Sequence, residues 1–224
     1  MNRITSNYRE GRRVGDLGYS NLLLGEEVSK GSHFGAVYSA IEWFQHGLEE
    51  YLYEEGTSGL SAQSRRDLHV VDNEFLQWLG ESLFALSSFC YRKGNSDPQY
   101  GLIIPEEAIE FIVERVTRLK MEEEGIIGGV AESEFIHLRG SLNKLRLQAR
   151  DVERHYAGWF HGEPSVIRET HLHPEILPNI LLYQKFLNRL SSYLYWLTRV
   201  ALLRQGVSTQ PWISRIPAWI RKAL

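Results

Sequence analysis

The spacing of apolar residues constrains this chain most, because it repeats every three to four positions over long stretches and almost never alternates. Phe34, Val37, Tyr38, Ile41, Phe44, Leu48 and Leu52 predict a first helix of about 20 residues. Leu68–Tyr91 repeats the pattern through Phe75, Leu76, Leu79, Leu83, Leu86 and Phe89, and the turn-forming run Lys93 to Pro98 stops it. Pro105, Glu106 and Glu107 read as a helix first turn with carboxylates at the positive end of the dipole. That helix is expected to reach about Glu124, where Gly125 and then the Gly128-Gly129 pair break it. A fourth helix runs from Ser141 to about Trp159, and Pro174 or Pro178 opens a fifth that reaches Leu203. Long helices with no strand between them predict an all-α, up-and-down five-helix bundle.

The bundle occupies residues 33–205 of a single domain. Residues 1–32, rich in Gly, Arg and Ser, form an N-terminal loop or arm. Residues 206–224 form a tail whose Trp212, Ile213, Ile216, Trp219 and Ile220 share one face of an amphipathic helix. That face is expected to pack on the bundle or a sister subunit, with membrane-surface or partner docking as the alternative.

Composition narrows the function classes. With 43% hydrophobic and 24% charged residues the 224-residue chain is globular. Its formal charge of -3 exerts no global pull toward nucleic acid. The single cysteine, Cys90, excludes an internal disulfide and a Cys-rich metal site, and its apolar neighbours predict a buried, inert thiol. The polar segment Met1–Gly15 carries four arginines and is unlike a secretory signal. The longest apolar stretch, Tyr193–Leu203, is interrupted by Arg199 and is too short to span a bilayer. A soluble cytoplasmic protein is expected.

Chemistry concentrates at two places. Gly15-Asp16-Leu17-Gly18-Tyr19-Ser20-Asn21-Leu22, followed by Lys30, offers backbone N–H groups, hydroxyl and amide donors and one cation to an anion. It lacks the spacing of a P-loop. Arg150 and Arg154, at i and i+4, share a helix face and form two forked donors suited to phosphate. His155, His161, His171 and His173 gather between helices four and five, but their spacing reads as surface histidines rather than a metal site. No metal ligand is assigned.

These residues resemble the PduO-type ATP:cob(I)alamin adenosyltransferases. That family opens with Gly-Asp-x-Gly-x-Thr-Ser-Leu and a downstream Lys, which Gly15 to Leu22 and Lys30 follow. Leu79 to Leu86 is similar to its second helix. Phe135-Ile136-His137-Leu138-Arg139-Gly140-Ser141 is similar to its Phe-x-x-Pro-Gly-Gly-Ser turn. Ala149 to Arg154 falls on Ala-Arg-x-x-x-Arg, and Phe186-Leu187-Asn188-Arg189-Leu190-Ser191 on Tyr-Leu-Asn-Arg-Leu-Ser. The order holds over roughly residues 12–203.

The resemblance implies a homotrimer with active sites between subunits, where Co(I) of a corrinoid attacks the 5′ carbon of ATP and triphosphate leaves. It implies Mg-ATP held by Gly15, Asp16, Gly18, Ser20, Asn21, Lys30, Arg150, Arg154 and Asn188, with Arg150 and Arg154 catalytic. Phe135 is implied as the apolar wall beside cobalamin, and the alternative for the four clustered histidines is that one of them ligates the corrinoid cobalt.

The chain departs from that pattern in specific places. Tyr38 stands where the family has the Asp that pairs with the first Arg of helix four, and His155 to Gly158 replace Arg-Ala-Glu-Arg. Each lost charged contact would cost on the order of 1–3 kcal/mol at the site. Two readings follow: an adenosyltransferase, or a catalytically impaired homologue that serves as an ATP/corrinoid sensor, carrier or structural partner.

Overall fold

Phe34, Val37, Ile41, Phe44, Leu48 and Tyr51 bury one stripe of helix α1 (His33–Tyr53). Ser32 opens that helix, its hydroxyl accepting the Gly35 N–H at 3.2 Å and so satisfying a first-turn donor that has no partner within the helix. Helix α2 (Val70–Tyr91) buries Phe75, Leu76, Leu79, Leu83, Leu86 and Phe89. It stops where the sequence predicts, as Lys93 and Gly94 take φ of 55° and 89° and the Gly94 N–H returns to the Phe89 carbonyl at 3.0 Å. The structure is a computed structural model, and it describes residues 19–21, 27–53, 68–94, 104–128, 134–136, 138–208 and 210–211.

Helix α3 (Glu106–Ile127) carries Glu106 and Glu107 in its first turn. It runs through Gly125, where a break was expected, and ends at Gly128 with φ of 69°. A lone helical glycine costs only about 1 kcal/mol relative to alanine, and buried Leu119 and Glu123 anchor the turn before it. Helix α4 (Gly140–Gly162) buries Leu145, Ala149, Val152, Tyr156 and Trp159.

A short helix α5 (Pro164–Leu172) and a 3-10 turn (Pro174–Ile176) follow. Helix α6 (Leu177–Arg204) spans 28 residues, about 42 Å. The five long helices expected from periodicity are therefore present. The sixth, α5, lies in what the sequence reads as a loop, where Pro164 sets the φ of its first turn and Val166 is its one buried side chain.

Helix α4 is the centre of the packing. It lies against α1 on one side and α6 on the other, while α6 also packs on α3 and α1 on α2. One apolar core runs through these five helices, with Phe89 on Tyr183 at 4.5 Å and Phe75 on Phe111 at 4.8 Å between ring centroids. Two ribbons, each too short for alternation to register in sequence, flank the bundle. Strand β1 (Tyr19–Asn21) pairs antiparallel with β2 (Glu27–Ser29), with Ser20 opposite Val28. Strand β3 (Glu134–Phe135) pairs antiparallel with β4 (Gln210–Pro211), with Phe135 opposite Gln210.

Buried charge is paired. The fully buried Asp72 accepts Nε and Nη2 of Arg115 at 2.8 and 2.7 Å and the Tyr193 hydroxyl at 2.8 Å, tying α2, α3 and α6 together. Arg199, the charge that interrupts the apolar run of α6, meets buried Glu123 at 2.7 and 3.0 Å through Nε. Cys90 is buried, and burial pushes its thiol well above the usual range. Among the described residues no helix is long and apolar enough to cross a membrane. The Trp-rich part of the tail, residues 212–224, lies outside the described residues.

Candidate functional site

Burying Leu145, Ala149, Val152 and Tyr156 turns the opposite face of α4 outward, and that face carries Arg146, Arg150 and Arg154 one turn apart. The three arginines line a cleft of about 1010 Å³, together with Lys144, Asp151 and Glu153 of the same helix, Trp43 of α1 and Gln184 of α6. Trp43 and Leu147, each 53% exposed, form its apolar lip.

Charge in the cleft is unevenly balanced. Arg154 pairs with Asp151 within its own helix. Lys144 pairs with Glu50 and lies 5.3 Å from the Trp43 ring centroid. Its hydrogen bond holds the Glu50 carboxyl below the usual glutamate value, against a smaller opposing effect of burial. Arg146 donates Nε to the Asn143 side-chain oxygen at 2.9 Å. Burial, and then the like charge of Arg150, pulls the Arg146 guanidinium below its ordinary value. Arg150 is exposed, and among the described residues its guanidinium has no hydrogen-bond or ion-pair partner.

Two buried acceptors face the same region. The side-chain oxygens of Gln148 and Gln184 have no hydrogen-bond partner among the described residues. The Gln148 amide nitrogen donates to the Trp43 carbonyl at 2.9 Å, which fixes the orientation of its amide. A Cβ at Gly47 would fall 2.2 Å from the Gln148 oxygen, so that glycine makes room for it. An unsatisfied buried acceptor costs roughly 1–3 kcal/mol, and a ligand carrying N–H or O–H donors recovers part of that.

The start of α1 reaches the far end of this row. A Cβ at Gly162 would lie 2.7 Å from His33 Nε2, and one at Gly158 would lie 3.3 Å from His33 Nδ1. Two side-chain-free positions on α4 thus let the start of α1 settle one to two turns beyond Arg154. Lys30, three residues before His33, is exposed in the turn between β2 and α1.

The residues singled out in the sequence divide accordingly. Arg150 and Arg154 line the cleft. Ser20 and Asn21 belong to β1, with their backbones paired to Val28 and Glu27. Asn188 is exposed on α6 and takes no part in the cleft wall, where Gln184 stands one turn earlier. Phe135 is the second residue of β3. Gly15, Asp16 and Gly18 lie outside the described residues.

Tyr38 points its ring toward α2, at 5.0 Å from Tyr91 and stacked on Phe34. A hydrogen bond to Glu42, followed by burial, raises its phenol well above the usual range. His155 lies 3.7 Å from Asp151, and His173 lies 3.3 Å from Glu175. Among the described residues no three His, Cys, Asp or Glu side chains converge on a common point.

Sequence reasoning missed Arg146, Lys144, Gln148 and Gln184. The signal for Arg146 was available, since it lies four residues before Arg150. Nothing in the sequence marked Gln184, because its place depends on how α6 is rotated against α4.

A family model for cobalamin adenosyltransferase matches residues 11–201. None of the curated proteins matches the chain. Among solved structures, a phenylalanine-to-alanine variant of the PduO-type ATP:corrinoid adenosyltransferase from Lactobacillus reuteri, complexed with cobalamin and ATP, is similar with a TM-score of 0.59 and 16% identity. The match covers 88% of this chain and 96% of that one. An arginine-to-lysine variant of the same enzyme, complexed with ATP, has a TM-score of 0.58 and 15% identity, covering 88% and 97%. At such identity the likeness speaks for a shared fold.

Proposed function

The chain belongs to the cobalamin adenosyltransferase family, and on that premise we propose that it transfers the 5′-deoxyadenosyl group of ATP to a cob(I)alamin-type corrinoid. In that reaction Co(I) supplies the electron pair for a new Co–C5′ bond, the C5′–O bond breaks, and triphosphate leaves with the electrons of that bond. The row Arg146, Arg150 and Arg154 carries the reading. A cleft in which guanidiniums repel one another, with no carboxylate paired to Arg150 among the described residues, is stabilised by a polyanion.

Each residue then has a task. Arg150 and Arg154 hold the triphosphate and neutralise the charge that grows as it departs, which lowers the barrier by binding the transition state more tightly than ATP itself. A magnesium ion carried in with ATP would add to that neutralisation. The orphaned oxygens of Gln148 and Gln184 accept from amino or hydroxyl groups of the ligand. The Gly15 to Asn21 loop, including Asp16, Gly18 and Ser20, and Lys30 close over the phosphates from the hairpin side, with Asn188 at the edge. Phe135 provides the apolar wall beside the corrinoid.

The homotrimer and a cytoplasmic location belong to the same proposal, with loop 1–32, bundle 33–205 and tail 206–224 acting as one domain. The exposed Trp43 and Leu147 at the lip support a site completed by a neighbouring subunit. Light scattering that gives a monomer would contradict this.

One observation favours the second reading, a protein that binds ATP and corrinoid without turnover. Tyr38 has a phenol where the resemblance implies a carboxylate, and its ring packs on Tyr91, so position 38 supplies no acidic group to orient Arg150. Anaerobic mixing with chemically reduced cob(I)alamin and Mg-ATP separates the two. A visible spectrum that shifts to that of adenosylcobalamin, and stays unchanged for Arg154→Ala, supports the enzyme. Binding by calorimetry without conversion supports the carrier or sensor.

A further inference from the structure

Behind the arginine row is a second, smaller pocket of about 140 Å³ between α4 and α6, walled by Arg146, Arg150, Ser191, Ser192, Tyr195 and Trp196. Arg146 and Arg150 also line the large cleft, so the two spaces share a cationic wall. The pocket is too small for a nucleoside and of a size to take one tetrahedral oxyanion. We propose that it binds a single phosphate group, and that Arg146 is a phosphate-gripping residue of this chain.

The donors are in place. Arg146 spends its Nε on Asn143, which leaves its two terminal nitrogens for an anion and fixes the direction in which they point. Arg150, one turn on, adds a second fork. The Tyr195 oxygen accepts from Arg199 Nη1 at 3.3 Å, so its own proton is available to donate outward. Ser192 is exposed, its hydroxyl 3.5 Å from the Asn188 carbonyl at the limit of a hydrogen bond, and it turns to an oxyanion at little cost.

Ser191 is different. It donates to the Asn188 carbonyl at 3.0 Å and lies 3.3 Å from Glu153, so it shapes the wall and keeps that carboxylate occupied. Two guanidiniums stand one turn apart on the same wall of a polar pocket, and this is unfavourable until an anion sits against both. Burial, and then the like charge of Arg150, pulls the Arg146 guanidinium below its ordinary value, in agreement with that geometry.

The inference rests on the proposed function for the identity of the ligand, the end phosphate of the triphosphate of ATP. The existence of an oxyanion site does not depend on it. Calorimetry on the full chain with inorganic tripolyphosphate, ATP and adenosine tests both. For Arg146→Gln, ATP and tripolyphosphate are expected to bind about tenfold more weakly or worse, with adenosine unchanged, and Arg146→Lys to recover part of the loss. Ser192→Asp, an exposed change that places a carboxylate at the mouth, is expected to weaken the same two ligands and decides the matter if Arg146→Gln fails to fold.

Equal ATP affinity in wild type, Arg146→Gln and Ser192→Asp would overturn the inference and leave the proposed function standing. Arg146-dependent tripolyphosphate binding in a protein that neither binds ATP nor converts cob(I)alamin would support the pocket and sink the proposed function. Binding of neither anion by the wild type overturns both.

Discussion

On α3 and α6, Arg115 and Arg199 are buried and each is clasped by a carboxylate, with a tyrosine hydroxyl from α6 against the pair. On α4, Arg146 and Arg150 face a cleft with no carboxylate to hold them among the described residues. The same side chain does opposite work in the two regions. Where its charge is matched inside the fold it locks helices together, and removing the partner strands a charge in a low dielectric. Where its charge is left unmatched at a surface, the bundle gains nothing from it and the imbalance is available to a ligand.

The sharpest way to break this contrast is Asp72→Ala. It leaves Arg115 and the Tyr193 hydroxyl without their acceptor in the core, and a loss of about 3–5 kcal/mol is expected, lowering Tm by roughly 10 °C or more. Thermal unfolding that moves by only a degree or two would mean the triad contributes no cohesion.

Arg150→Ala should do the reverse. Stability should stay within about 0.5 kcal/mol of wild type, while ATP affinity falls about 10- to 100-fold through loss of charge-assisted contacts. A substantial loss of stability with unchanged ATP binding would place Arg150 with the structural pair. Arg154→Ala should cost less affinity, because Asp151 already competes for that guanidinium.

Gly162→Ala sharpens the comparison from the other end of the row. The added methyl strikes the His33 ring, but alanine favours helix by about 1 kcal/mol, so urea unfolding should scarcely change. ATP affinity should fall a few-fold as the start of α1, and Lys30 just before it, is pushed off α4. Equal affinity would show that the start of α1 plays no part in the site.

The smallest effect concerns the rim pair Lys144–Glu50. The folded carboxyl of Glu50 is depressed, so its contribution is present at neutral pH and disappears as pH falls below the ordinary glutamate value of 4.5. Glu50→Gln should remove a slight acid-side dependence of stability, visible as a flatter profile in urea unfolding across that range. An unchanged profile would assign the dependence to other carboxylates.

Much of the fold was legible because helical period is a local property. The stripe from Phe34 to Leu48, the stop at Lys93-Gly94 and the first turn at Glu106-Glu107 can each be read without knowing what they pack against. Gly125 misled because a glycine is a weak breaker when the turn beside it is anchored by burial. Helix α5 escaped notice because nine residues with one buried side chain carry almost no period.

At the site, the i and i+4 spacing of Arg150 and Arg154 was enough to place both on one face, and the same rule extends to Arg146. Other positions needed the assembled bundle. The rotation of α6 places Gln184 rather than Asn188 in the cleft wall, and that of α1 sends Tyr38 to Tyr91. The crossing of α3 and α6 gives Arg199 its carboxylate in Glu123. Sequence therefore determined which residues share a helix face, since backbone geometry sets that within a few turns. Only tertiary structure decided which faces meet, because that depends on helix rotation and crossing, quantities set by the packing of the whole core at once.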